Sequence, residues 1–211
     1  MAAVTEASTH ALAVPTDAPL VSGPPQGQWT YDHWEGLGDD GARYEVIDGV
    51  LYMTTAPSSY HQWIIKQLVR YIGIPAEDRG LALSAFAPIG LLMPGCDPVQ
   101  PDFLIVRAAN TAIFHDRRIR GVPDLLVEVL SPGNADYDRQ IKLRAYAAAG
   151  VPEYVIVDAR TRSLIVYRLA EPGSYAAPEQ FGEDAVVCFT CLPEIYLPVG
   201  APFTGAPDTT L

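Results

Sequence analysis

The chain has 211 residues, of which 49% are hydrophobic, with three cysteines and a formal net charge of −11. This length and composition indicate one globular domain rather than a disordered chain. The negative charge does not support a broad nucleic-acid-binding surface, and three cysteines do not indicate a disulfide framework. Because no apolar run could span a membrane and no signal peptide is recognisable, we expect a cytoplasmic protein without a membrane partner.

Residues 1–27 are rich in Ala, Pro, Thr and Ser and lack helical or strand periodicity, which predicts a flexible tail. We expect the folded domain at residues 28–200 and a C-terminal tail at residues 201–211. Thr30 is a favourable N-cap for a short helix at the start of this domain. Two strand-prone runs then flank Asp48-Gly49, a dipeptide typical of a tight hairpin turn. Glu45 lies in the first run, where the ordinary interpretation is an acid that faces solvent.

A helix is predicted after residue 57, because apolar residues recur there at helical spacing. Gly73 and Pro75 are expected to end it. His61 falls in its first turn, where a histidine is most often a polar surface residue, although this one could face an active site. Residues 99–106 form a later apolar strand with Asp102 at its entrance, and taken alone this residue could be a turn acid.

Residues 121–132 form an almost continuous apolar run that predicts a buried strand. Glu128 lies inside this run, and a buried carboxylate is costly unless it is paired, coordinated or hydrated. Asp124 is more simply a strand-entry residue. A helix at residues 135–149 and strands at 151–158 and 163–169 follow, which indicates a crossover unit. In that helix Asp138 and Lys142 stand four residues apart, the spacing of a surface ion pair.

Three carboxylates, those of Glu45, Asp102 and Glu128, come from separate strands. If they converge, they form a site of oxygen ligands that suits Mg²⁺ or Mn²⁺. A nearby ammonium could then hold an attacking water or balance negative charge on a phosphate. Spacing in the sequence leaves open whether these residues meet.

The order and spacing of several motifs resemble the Uma-type (Uma-two) family of restriction endonucleases, over about residues 31–197. The motifs are Tyr44-Glu45-x-x-Asp48-Gly49, the helical His61, Gln100-Pro101-Asp102, Pro123-Asp124-Leu125-Leu126-Val127-Glu128-Val129-Leu130-Ser131-Pro132, Asp138-x-x-x-Lys142-x-x-x-Tyr146 and Gly150-Val151-Pro152-Glu153-Tyr154-x-x-x-Asp158. That family is similar to the PD-(D/E)xK nuclease superfamily. The resemblance implies an α/β (α+β) fold with a restriction-endonuclease-like core, in which a mixed central β-sheet is flanked by helices.

By this resemblance, Asp102 matches the first acid of the superfamily motif and Glu128 the second. Leu130 stands where the superfamily has its lysine, and Lys142 on the following helix takes the migrated position. Glu45 matches an additional acid from the front of the fold. The implied catalytic residues are therefore Glu45, Asp102, Glu128 and Lys142.

The resemblance also implies Mg²⁺- or Mn²⁺-dependent hydrolysis of phosphodiester bonds in DNA. The implied metal ligands are Asp102, Glu128, the carbonyl of Val129 and Glu45. His61 and Tyr146 would contact these ligands rather than the metal ion itself. The implied partner is DNA. Whether the chain also pairs with a second copy of itself in a homodimer stays open.

Two other interpretations stay open. The acidic charge and the absence of a lysine two residues after Glu128 favour a non-catalytic interaction domain, homodimeric or not, on an inactive nuclease fold. Paired carboxylates also serve glycosidases, which need two of them flanking a sugar-sized groove. The sequence gives no sign of the stacking aromatics that such a groove would use.

Overall fold

The computed structural model describes residues 21–37, 42–54, 56–131 and 135–206. In chain order the strands are β1 (Arg43–Ile47), β2 (Val50–Thr54), β3 (Ala82–Phe86), β4 (Leu91–Met93), β5 (Cys96–Val99), β6 (Phe103–Arg107), β7 (Ile119–Arg120), β8 (Leu125–Val129), β9 (Glu153–Asp158), β10 (Ser163–Glu171), β11 (Ser174–Tyr175), β12 (Glu179–Phe181), β13 (Val186–Phe189) and β14 (Leu192–Pro198). The α-helices are α1 (Tyr31–Glu35), α2 (Ser59–Leu68), α3 (Ile74–Asp78) and α4 (Leu143–Ala149). Val69–Gly73 and Tyr137–Lys142 are π-helical, and Ala108–Ile113 and Ala201–Phe203 form 3₁₀ turns.

The central sheet has the strand order β11-β10-β9-β8-β6-β3, with β12 also paired to β10. Strands β8 and β9 run parallel, with Glu128 opposite Ile156, whereas β6 is antiparallel to β8 and β10 is antiparallel to β9. The chain between β8 and β9 contains α4, as a parallel connection requires. The predicted crossover unit and the predicted mixed α/β (α+β) sheet are both confirmed.

A second sheet, of order β2-β1-β5-β4-β7, carries Glu45. Its first two strands form the predicted hairpin, in which Ile47 pairs with Val50 across Asp48 and Gly49. Both turn residues have positive φ, 48° and 73°, as a tight hairpin turn of this kind requires. Strands β13 and β14 form a separate hairpin.

The central strand β8 separates two apolar clusters, because successive side chains of a strand point to opposite faces. Leu125, Val127 and Val129 pack in the cluster that includes residues of α2. Leu126 packs in the other cluster, which includes residues of α4. Glu128 has the parity of Leu126, so the alternation directs its carboxylate towards the face that α4 covers.

The helix after residue 57 begins as predicted but ends later. Ser58 caps α2, since its hydroxyl accepts a hydrogen bond from the His61 amide at 3.2 Å. The prediction that Gly73 and Pro75 end the helix is wrong, because a π-helical turn links α2 to α3. Pro75 lies in the first turn of α3, where a missing N–H costs little, and the helical path continues to Asp78.

The predicted helix at residues 135–149 is confirmed, although its first half is π-helical. Gly150 closes it with φ of 88°, a left-handed conformation that glycine adopts without strain. Within this π-helical turn, Tyr137, Asp138 and Lys142 are all buried.

Two segments assigned to the tails contact the domain. Gln26 exchanges side-chain hydrogen bonds with the backbone of Leu51, and Phe203 is buried in the cluster beside α2. The outer parts of both predicted tails, residues 1–20 and 207–211, lie outside the described residues. Within the described ranges, no helix is both long and apolar enough to cross a membrane.

Candidate active site

Glu128 and Lys142 meet inside the protein. Lys142 Nζ donates to Glu128 Oε1 at 2.9 Å, and Tyr146 donates its hydroxyl to the same oxygen at 2.8 Å. Glu128 is 2% exposed and Lys142 is 4% exposed. The π-helical turn therefore brings a lysine fourteen positions away in the sequence to the acid of the central strand.

Glu45 reaches the same lysine from the second sheet. Its Oε1 lies 3.4 Å from Lys142 Nζ and accepts a hydrogen bond from the Gln100 amide at 2.6 Å. Its Oε2 accepts a hydrogen bond from the Tyr137 hydroxyl at 3.0 Å. The expectation that Glu45 faces solvent is wrong, because the hairpin of β1 and β2 packs over the face of the central sheet that bears Glu128.

Asp102 is held by the residue that follows Glu128. Its Oδ2 accepts a hydrogen bond from the Val129 amide at 2.9 Å and lies 3.0 Å from His61 Nε2. His61 Nε2 also lies 2.9 Å from the Val129 carbonyl oxygen. Since both neighbours of Nε2 are acceptors, this nitrogen carries the imidazole hydrogen. His61 is buried, so its interpretation as a surface residue is wrong.

A third carboxylate completes the surroundings of Lys142. Asp138 Oδ1 lies 3.6 Å from Lys142 Nζ, and the lysine also sits over the Tyr137 ring at 5.1 Å from its centroid. The spacing in the sequence predicted this pair, but it is buried rather than exposed. One ammonium thus faces three carboxylates, those of Glu45, Glu128 and Asp138.

Burial and the neighbouring charges shift the pKa values of these groups. Burial raises the pKa of Glu128 well above its usual range, and the Lys142 ammonium only partly opposes that effect. Burial likewise raises the pKa of Asp138, to about 7. For Lys142 burial acts to lower the pKa, but the carboxylates led by Glu128 outweigh it and the pKa is raised. Lys142 therefore stays charged, whereas burial favours the neutral forms of Glu128 and Asp138.

These groups line a cleft of about 1100 Å³. Its wall contains the four predicted catalytic residues together with Asp138, Tyr137 and His61, and Arg139 and Arg160 also line it. Arg139 Nη2 donates to Asp158 Oδ2 at 3.0 Å, while Arg160 is exposed. Asp124 does not join the site, since its oxygens accept from the Arg107 amide and the Asn110 side chain, as expected of a strand-entry residue.

Across the described ranges, no group of three or more His, Cys, Asp and Glu side chains is arranged to hold a metal ion. Mg²⁺ needs fewer protein ligands, because one or two carboxylates combine with waters and substrate phosphates. Within the described part of the chain, Asp102 Oδ1 and Glu128 Oε2 accept no hydrogen bond. These two oxygens and the Val129 carbonyl, all hard donors lining one cleft, fit such an ion.

Sequence reasoning missed two members of the cluster, Asp138 as a buried acid and Tyr137 as the donor to Glu45. The four-residue spacing from Lys142 was the available signal for Asp138. Nothing in the local pattern distinguished Tyr137 from an ordinary core aromatic.

Comparison with known families assigns the chain to a family. The family described as "Uma2: Putative restriction endonuclease" matches residues 30–200, and the chain belongs to that family.

Among solved structures, the chain is similar to a crystal structure described as "a putative nuclease belonging to DUF820" from Anabaena variabilis. The TM-score is 0.70 at 19% sequence identity, over 83% of this chain and 97% of the other. That likeness shows a shared fold. The comparison with curated proteins finds no match.

Proposed function

We propose that the chain is a metal-dependent endodeoxyribonuclease that hydrolyses phosphodiester bonds of DNA in the cleft containing Glu128. Membership of a restriction-endonuclease family and the likeness to a nuclease fold support DNA as the substrate. The observation that carries the proposal is the 2.9 Å contact between Lys142 Nζ and Glu128 Oε1. It supports the view that Lys142 replaces, in space, the lysine that Leu130 displaces in the sequence.

The metal ligands we assign are Asp102, Glu128 and the carbonyl of Val129. The ion is Mg²⁺ or Mn²⁺, which when bound would polarise the phosphate under attack. Glu45 Oε1 lies 3.4 Å from Lys142 Nζ, and both Glu45 oxygens are held by protein donors, so we assign Glu45 the role of positioning Lys142.

Lys142 supplies the positive charge of the protein at the reacting phosphate. Its raised pKa keeps the ammonium protonated, and a charge fixed in a buried site stabilises developing negative charge more strongly than one in water. Tyr146 holds Glu128 Oε1 in place, and His61 links Asp102 to the Val129 carbonyl. These contacts fix the orientation of each proposed ligand, which is the common task of residues behind a metal site.

One observation favours the second candidate, a non-catalytic interaction domain. Lys142 already contacts Glu128, Glu45 and Asp138, so the cluster is partly neutralised without any ion. On an inactive nuclease fold the same contacts would serve stability alone.

Nicking of supercoiled plasmid DNA with Mg²⁺ or Mn²⁺ tests the proposal. We expect cleavage by the native protein and a loss of about a hundredfold or more in Glu128→Gln, because the variant removes the charge of a proposed ligand. The matched control is Glu153→Gln. Glu153 is a buried glutamate on the adjacent strand, bonded to Arg168 Nε at 3.0 Å, and it does not line the cleft.

Cleavage is compared per folded molecule, after the folded fraction has been measured by circular dichroism. Retained cleavage in Glu153→Gln alongside its loss in Glu128→Gln supports the nuclease. Equal cleavage in both variants, or none by the native protein with either ion, favours the non-catalytic domain.

A further inference from the structure

A surface next to the candidate active site carries three arginines and two aromatic rings. We define the arginine–aromatic surface by Tyr31, Trp34, Arg117, Arg118 and Arg120. Arg117 and Arg120 are exposed, and Arg118 is half-buried. A cavity of about 370 Å³ lies within it and is lined by residues that include Trp34, Arg117 and Arg118. The nuclease proposal makes no use of this surface.

Arg118 is held in one orientation. Its guanidinium lies over the Trp34 ring, 5.0 Å from the centroid, and its Nη1 donates to the Arg117 carbonyl at 2.6 Å. Its side chain passes so close to Gly90 that a Cβ on residue 90 would lie 2.6 Å from Arg118 Cδ. Ordering this arginine in advance lowers the entropy that a ligand would otherwise lose on binding.

One donor of this surface lacks an acceptor within the described part of the chain. Arg118 Nε is buried and has no hydrogen-bond partner among the described residues. Arg120 lies over the Tyr31 ring at 5.3 Å from the centroid. The Tyr31 and Trp34 rings stack with their centroids 5.9 Å apart. Guanidinium groups that rest flat on rings keep their N–H edges free to bind phosphate oxygens.

Gln100 connects this surface with the candidate active site. It lines both the small cavity and the large cleft. Its amide donates to Glu45 Oε1 at 2.6 Å, and its side chain donates to the Tyr44 carbonyl at 3.1 Å. The Trp34 indole donates to that same carbonyl at 2.8 Å. A DNA strand that leaves the cleft past Gln100 would therefore enter the cavity lined by Arg117 and Arg118.

We propose that the arginine–aromatic surface binds the phosphate backbone of duplex DNA beside the cleavage site. The inference rests on the proposed nuclease function and names the part of the protein that positions its substrate. Duplex DNA is favoured over a single strand because arginines cover faces of Trp34 and Tyr31 that unpaired bases would need for stacking. Asp116 lines the same cavity, so contacts with individual phosphates matter more here than a broad positive field.

The test is fluorescence anisotropy of a labelled DNA duplex with Glu128→Gln protein, in which we expect cleavage to be strongly reduced. Adding Arg118→Ala is expected to weaken binding about tenfold and to reduce the slope of log K against log salt by about one. The matched control is Arg70→Ala. Like Arg118, Arg70 lies over an aromatic ring, that of Tyr71, at 5.6 Å, but Arg70 is exposed and lines neither cavity.

A second variant, Gly90→Ala, displaces Arg118 without removing its charge and should weaken binding in the same direction. Equal affinities of the Arg118→Ala and Arg70→Ala proteins, or no duplex binding by any of them, would overturn the proposal. Tighter binding of single strands than of duplexes would also overturn it. Loss of binding specific to Arg118→Ala supports the surface even if the native protein cleaves nothing, so this result is separable from failure of the nuclease proposal.

Discussion

Two buried glutamates on adjacent parallel strands show how a structural acid differs from a functional one. Glu153 on β9 accepts a hydrogen bond at each oxygen, from Arg168 Nε at 3.0 Å and from the Cys191 amide at 3.1 Å. Glu128 on β8 accepts two hydrogen bonds at Oε1, and within the described ranges Oε2 accepts none. Both oxygens of Glu153 therefore have protein donors, whereas Glu128 Oε2 has none among the described residues and can bind a ligand.

The surroundings of the two glutamates differ in charge as well. Glu153 shares Arg168 with Glu179, which is exposed, whereas Glu128 shares Lys142 with two buried carboxylates, those of Glu45 and Asp138. Burial, and to a smaller extent the neighbouring carboxylates, raises the pKa of Glu128 and of Asp138 and costs stability. Such crowding beside a cleft is typical of functional sites, where stability is given up for chemistry.

Replacing the cation beside each glutamate should give the largest difference in the free energy of unfolding between the two environments. Lys142→Met leaves three carboxylates buried without a counter-ion, so we expect a loss of about 3–5 kcal/mol in the free energy of unfolding at pH 8. The loss should shrink at pH 5, because the carboxylates can then take up protons. Urea denaturation at both pH values measures it.

Arg168→Met is the matched control, since it leaves one buried carboxylate, that of Glu153, which the Cys191 amide still binds. The other partner of Arg168, Glu179, is exposed. Its loss of stability should be smaller than that of Lys142→Met and should depend less on pH. A larger loss in Arg168→Met than in Lys142→Met would reverse the proposed contrast between the two sites.

The titration of Asp138 gives a smaller and more specific effect. Its pKa in the folded protein is about 7, above the ordinary value near 3.8, because burial penalises the charged form. Between these values the folded state holds a proton that the unfolded state has lost, so stability falls as pH rises from 4 to 7. Asp138→Asn does not take up this proton, so its stability relative to that of the native protein should rise by about 3 kcal/mol between pH 4 and pH 7.

Thermal unfolding of both proteins from pH 4 to pH 8 would reveal that divergence. Asp124→Asn is a useful control, since Asp124 is also buried but accepts hydrogen bonds from the Arg107 amide and the Asn110 side chain. Parallel stability curves for native protein and Asp138→Asn would show that the crowding around Lys142 is not felt in solution.

Much of the fold followed from local signals in the sequence. The Asp48-Gly49 turn, the apolar run of β8 and the crossover from β8 to β9 are set by nearby residues, and all three are present. The end of α2 was misjudged because a π-helical turn carries the chain through Gly73 and Pro75. Gly and Pro indicate where the i to i+4 hydrogen bonds of an α-helix are interrupted. In a π-helical turn the hydrogen bonds run from residue i to residue i+5, so these signals no longer mark the end of the helical path.

The site was harder to predict from the sequence because its contacts join elements that are distant along the chain. The alternation of β1 places Glu45 on one face of its strand, but only the packing of two sheets decides whether that face is buried. His61 and Asp138 looked like surface groups for the same reason. Lys142 was implied by family resemblance, and the structure supplies what spacing could not, its 2.9 Å contact with Glu128 Oε1.

Binding of Mn²⁺ by the protein alone tests the central claim most directly. Titration calorimetry should show binding by the native protein, loss of binding in Glu128→Gln and Asp102→Asn, and retention in Glu153→Gln, because Asp102 and Glu128 are the carboxylates proposed to ligate the ion. Absence of Mn²⁺ binding by the folded native protein, or unchanged binding in Glu128→Gln, would contradict the account.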